Sequence, residues 1–68
     1  MIKIFTILPL TIEELKEGFR GQITINDDLL VDIAETVDVL KERMKSMIYA
    51  FEGINVDDFE IIRIETGK

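Results

Sequence analysis

Carboxylates are the most abundant reactive groups in this chain, and their spacing is the first feature that could carry chemistry. Fourteen residues are Asp or Glu against eight Lys or Arg, a net charge of −6. Asp28, Asp32, Glu35 and Glu42, with Asp38 beside them, recur at intervals of three and four. On a helix that spacing puts them along one face. A rigid ladder of carboxylates can occupy a basic groove meant for nucleic acid, through charge-assisted bonds from Arg and Lys. The commoner meaning of such a face is solvation, and acids near a helix N-terminus are favoured by its dipole.

Acid–base catalysis by a carboxylate pair is the next reading. Glu13, Glu14, Asp57, Asp58, Glu60 and Glu65 offer many pairings. That chemistry needs one carboxyl shifted by an apolar pocket or a close neighbour. The chain has no His and no Cys, and Ser46 is its one serine. A nucleophile-and-base set is therefore all but missing. Asp57-Asp58 lacks the spaced oxygen ligands and the glycine of a calcium loop, and the Gly18-Phe19-Arg20-Gly21 spacing is not that of a phosphate loop. The chain reads as no enzyme, with no cofactor and no metal.

Composition bounds what such residues can be mounted on. Sixty-eight residues make one domain, residues 1–68. A chain of this size buries only about 60% of its unfolded surface and is marginal alone. Disulfides are excluded, so association is the remaining reinforcement. The acidic balance disfavours direct binding to nucleic acid or anionic membranes, which need Lys and Arg to displace counterions. The longest apolar run, Ile4 to Leu10, contains Thr6 and Pro9 and cannot span a bilayer. No signal peptide is discernible, and a cytoplasmic location is expected.

The elements follow from patterning. Ile2 to Leu8 reads as a strand that Pro9 ends. Thr11-Ile12-Glu13-Glu14 fits a capping box for a short helix that Gly18 closes. Gln22 to Ile25 reads as a second strand. Residues 26–53 read as one long amphipathic helix: Leu30, Ile33, Val37, Leu40, Met44, Met47 and Phe51 form a stripe, Asn26, Asp27 or Asp28 caps its start, and Gly53 ends it. Phe59 to Thr66 reads as a third strand. The expected fold class is α+β, a small three-stranded sheet packed against one long helix, in the order strand, short helix, strand, long helix, strand.

Two features of that architecture point to self-association. A stripe from Leu29 to Phe51 runs roughly 33 Å at 1.5 Å per residue, whereas a seven-residue strand reaches about 23 Å. The helix then overhangs its sheet around Met44, Met47 and Phe51. The outer strands are also apolar on both faces, with Phe5 and Ile7 opposing Ile4 and Leu8, and Ile62 and Ile64 opposing Phe59 and Ile61. One helix covers one face, and the exposed remainder exceeds what soluble monomers usually show. The expected interface is therefore Met44, Met47, Phe51, Phe5, Ile7, Ile62 and Ile64. The function read from these residues is a small acidic, non-enzymatic protein–protein interaction module, a homodimer that also meets a protein partner, one with a basic surface if its acids are used. The alternatives are an acidic inhibitor mimicking nucleic acid, of the kind a phage or mobile element encodes, and a structural subunit of a homomeric assembly.

Overall fold

The computed structural model describes residues 5–64. Ile2, Ile4, Glu65 and Thr66, read above as parts of the first and last strands, lie outside the described residues. Five elements follow one another: β1 (Ile7–Leu15), β2 (Gly18–Ile25), β3 (Asp28–Ala34), α1 (Val37–Glu52) and β4 (Asp58–Ile64). The class is α+β, with one helix packed on a mixed sheet of four strands in the order β3-β2-β1-β4. β2 is antiparallel to both its neighbours, and β4 lies parallel to β1. The expected three strands and element order are corrected at two places.

The first correction is the short helix. Thr11 to Leu15 belong to β1, and Gly18 opens β2 rather than capping a helix. Leu8, Leu10 and Ile12 alternate along β1 and turn one face to the core; that period of two overrides the local capping box. Pro9 does not end the strand. The ladder to β2 begins at Thr11, so the missing proline N–H falls outside it. Gly18 is required by close approach, since a Cβ there would stand 2.6 Å from the Ala34 carbonyl oxygen.

The second correction is the first third of the long helix. Asn26 and Asp27 take positive φ values of 51° and 70°. Ile25 pairs directly with Asp28 across them. This is a two-residue hairpin turn of the type that matches strand twist, and it sends residues 28–34 back along β2 as β3. Leu30 then faces Ile23 in the core. Asn26, Asp27 and Asp28 therefore cap no helix. The helix begins later, with Thr36 as N-cap: its hydroxyl accepts from the Val39 amide at 3.2 Å. Gly53 ends it as expected, in the left-handed conformation, its amide donating to the Tyr49 carbonyl at 3.0 Å.

The helix turns Leu40, Met44 and Ile48 onto Leu10, Ile12, Ile23, Leu30 and Phe59, and together these form the buried core. Sixteen residues make α1 about 24 Å long, against about 30 Å for the nine residues of β1. The expected overhang of the helix over its sheet is thus removed. Met44 is fully buried and Met47 partly so, whereas Phe51, at the last turn, is 72% exposed. Gly21, across from Ile12, makes room for this contact: a Cβ there would meet Leu40 Cδ2 at 2.9 Å and Leu10 Cδ1 at 3.3 Å.

Two substitutions test this packing. Leu40→Ala is expected to lower unfolding free energy by about 2–5 kcal/mol in a urea titration, the range for emptying a packed aliphatic site. Gly21→Ala overfills the same contact and is expected to cost about 1–3 kcal/mol. A near-neutral result for both would place the helix–sheet contact elsewhere.

Candidate functional site

Helix α1 covers one face of the sheet, and no described element packs on the other. The register states what that open face carries. Thr11 lies between Gln22 and Ile62, and Gln22 between Thr11 and Val31. The same alternation brings Leu29, Val31 and Ile33 of β3, Ile62 and Ile64 of β4 and Ile7 of β1 to this side. All six are exposed, Leu29 at 60% and Ile33 at 55%. The middle of the face is polar. Pro9, Thr11, Gln22 and Thr24 floor a shallow hollow of about 290 Å³ beside Ile62. Arg20 forms an ion pair with Glu13 there, and the two are partners across β1 and β2. The surface is thus an apolar row along β3 and an apolar pair, Ile62 and Ile64, on β4, where exposed Glu60 separates them from Ile7, with a polar trough between.

Each outer strand is tied to the helix by one ion pair built on an aspartate. On β3, Asp32 accepts from Arg43, with Nε at 3.1 Å from Oδ2 and the terminal guanidinium nitrogen at 3.3 Å from Oδ1. The same carboxylate accepts the Ile33 amide at 2.7 Å. On β4, Asp58 lies 3.1 Å from Lys41 Nζ and accepts the Phe59 amide at 2.8 Å. The two sites share one design: a helix cation holds an aspartate, and the aspartate occupies the next amide of an outer strand. Partial desolvation pushes the Asp32 carboxyl up, but the Arg43 bond, the Ile33 amide and the Arg43 charge outweigh it and hold it below its ordinary value. The Phe59 amide, then the Lys41 bond and charge, likewise hold Asp58 down.

The carboxylates grouped on one helix face are dispersed. Asp28 and Asp32 stand on β3, Glu35 lies between β3 and α1, and only Asp38 and Glu42 are helical. Glu42 pairs with Lys45 at 3.8 Å. The continuous ladder imagined over residues 28–42 does not form, because a strand and a connection interrupt it. Among the described residues no three acidic side chains gather as metal ligands would. No helix of the described residues is long and apolar enough to cross a membrane.

Of the interface residues expected from sequence, Ile7, Ile62 and Ile64 stand together on the open face, Phe5 is exposed just before β1, and Phe51 is exposed at the far end of α1. Met44 leaves the set, since it is enclosed by the core. Leu29, Val31 and Ile33 were missing from it. Their signal was the alternation 29-31-33 with two β-branched members, following Asn26-Asp27, a pair that tolerates positive φ. Val39 and Tyr49 are further exposed apolar side chains on α1.

The two aspartates make stability depend on acid pH in a defined direction. A carboxyl held below its unfolded value stabilises the fold above that value, and the contribution is lost as pH falls through the folded one. The melting temperature is therefore expected to drop as pH falls below about 4, the ordinary aspartate value. Asp32→Asn is expected to cost about 1 kcal/mol or less at neutral pH, because Arg43 is exposed and water screens its pair with the partly buried Asp32. It should also make the acid-side decline shallower. An unchanged decline in the Asp32→Asn, Asp58→Asn double variant would assign it to other carboxylates.

Comparison of the chain with protein-family models, with curated proteins and with solved structures finds no match.

Proposed function

We propose that this chain is a small acidic protein–protein interaction module without catalysis of its own, acting as a self-associating unit that presents the open sheet face to a protein partner. The observation that carries the reading is the apolar row Leu29-Val31-Ile33 and the apolar pair Ile62-Ile64 on a face that no described element covers. Scattered exposed apolar residues are ordinary, whereas a set aligned on one sheet face is the usual mark of an interaction surface. A polar trough between these apolar groups, with the Glu13–Arg20 pair in it, supplies groups that orient a partner and give it specificity. The need for association is independent of this geometry: the chain is short and has no cysteine.

The acidic-inhibitor alternative rests on a helical ladder of carboxylates, and the acids instead divide between β3, the connection after it and α1. Interaction through the open sheet face is the reading the geometry favours.

The test uses light scattering behind a sizing column, melting curves over a hundredfold concentration range, and a hydrophobic dye as the surface probe. A mass above 7.8 kDa and a melting temperature that rises with concentration are expected, because association stabilises the folded state by mass action. The dye is expected to bind the native protein, and to bind less to the Ile33→Lys, Ile62→Lys variant at unchanged circular dichroism. A monomer that binds no dye at any concentration would overturn the reading.

A further inference from the structure

We infer that β3 is a self-recognition edge: two copies of this chain join by antiparallel pairing of β3 with β3 about a two-fold axis at Val31, which merges their open faces into one continuous sheet. The inference rests on the proposed self-association and names the surface that performs it.

The outer edge of β3 has identifiable free groups. Across the two-residue turn, Ile25 and Asp28 are direct partners. In such a hairpin that pair exchanges both ladder bonds, so Asp28, Leu30, Asp32 and Ala34 direct their backbone groups to β2. Leu29, Val31 and Ile33 direct theirs outward. The Ile33 amide confirms this alternation, since the Asp32 side chain takes it. The Leu29 and Val31 amides have no such side-chain acceptor among the described residues.

Register and charge then select one pairing. Val31 is the middle residue of the seven in β3, so an axis there overlaps the whole strand. It sets Leu29 opposite Ile33 of the second copy, Val31 opposite Val31, Leu30 opposite Asp32 and Asp28 opposite Ala34. Three apolar pairs lie in a row on the open face, and within β3 no carboxylate faces another, Asp27 and Glu35 coming opposite only beyond the strand ends. Moving the axis one residue to Leu30 sets Asp28 against Asp32, and moving it to Asp32 sets that residue against itself. Like charges directly opposite are destabilising. In the favoured register each Val31 amide donates to the other Val31 carbonyl, and each Leu29 amide donates to the Ile33 carbonyl across from it. The Ile33 amides remain on Asp32, so the existing ion pair with Arg43 need not break.

The helix agrees with this edge. Arg43 reaches β3 and Lys41 reaches β4, which fixes the two flanks of α1. At about 100° per residue, Val39 and Ala50 share the Arg43 flank, Asp38 falls toward Lys41, and Glu42 stands between the two flanks, while Glu52 at the helix end accepts from Asn26 of the β2–β3 turn. In a chain of net charge −6, the helix residues beside the middle of β3 are Val39 and Arg43, neither of them a carboxylate. Ile33 and Val39 already border one cleft of about 340 Å³ at this edge. β4 is the opposite outer strand, and its neighbouring flank is charged.

The chain contains no cysteine, so one introduced thiol reports one position. Directly opposed residues of an antiparallel pair lie about 4.5–5.5 Å apart at Cα, within cross-linking reach of a disulfide or a short bismaleimide. Val31→Cys is expected to cross-link to twice the monomer mass, and Ile62→Cys, on β4, is not. Val31→Lys is expected to convert the dimer to monomer by light scattering while helix and strand circular dichroism persist. A wild-type dimer in which Val31→Cys fails to cross-link and Val31→Lys stays dimeric would overturn β3 pairing and leave self-association standing. A wild-type monomer that binds the hydrophobic dye would overturn β3 pairing and leave only the open face as an interaction surface. Cross-linking of Ile62→Cys instead of Val31→Cys would move the contact to β4.

Discussion

The contact between Leu40 and the floor left by Gly21 determines where the helix sits, and most of the surface follows from that seat. Leu40 has no exposed area, and the space above Gly21 is too small for a Cβ. Leu10 closes the same contact from β1. With the helix held there, Met44 and Ile48 follow at one-turn intervals into the same core. One helix of this length covers one face of four strands, so the alternate residues of every strand are left on the other side.

That one-sided cover explains the distribution of charge as well as of apolar surface. No charged side chain of the described residues is buried, and two ion pairs, Arg43–Asp32 and Lys41–Asp58, stand where the helix meets the outer strands. Asp32 and Asp58 each join a helix cation to a strand amide. Surface pairs of this kind contribute little to stability, but they occupy edge amides that would otherwise be open to pairing. Under the proposed pairing, the β3 edge offers the backbone groups of Leu29 and Val31, an apolar row, and a helix flank whose charge at mid-strand is the cation Arg43. Joining two such edges would leave the open faces side by side, a larger platform than one chain of this size can build.

Parts of this arrangement were legible in the residues. The α+β class, the helix end at Gly53, the core role of Leu40 and the opposition of Phe59 and Ile61 to Ile62 and Ile64 all follow from local patterning. Each rests on an interaction a few residues long: a left-handed cap, a stripe at helical spacing, an alternation at strand spacing. The carboxylates at 28, 32, 35, 38 and 42 were legible as a pattern only. Their common face depended on one helix running through all of them.

What tertiary structure decided is the state of residues 11–15 and 28–34. Leu30 is apolar at a position that serves a helical stripe and a strand equally, and over seven residues the two periods cannot be separated. The two-residue turn at Asn26-Asp27 resolves it by pairing Leu30 with Ile23. The ladder to Gly18–Gln22 does the same for Thr11–Leu15 against their own capping box. Sequence alone determined the core role of Leu40 and Met44 on the helical stripe and where the helix had to stop, because those depend on local spacing and conformation. Only the fold decided that Leu29, Val31 and Ile33 stand on an open edge strand, because that depends on partners distant in the chain that supply the ladder bonds.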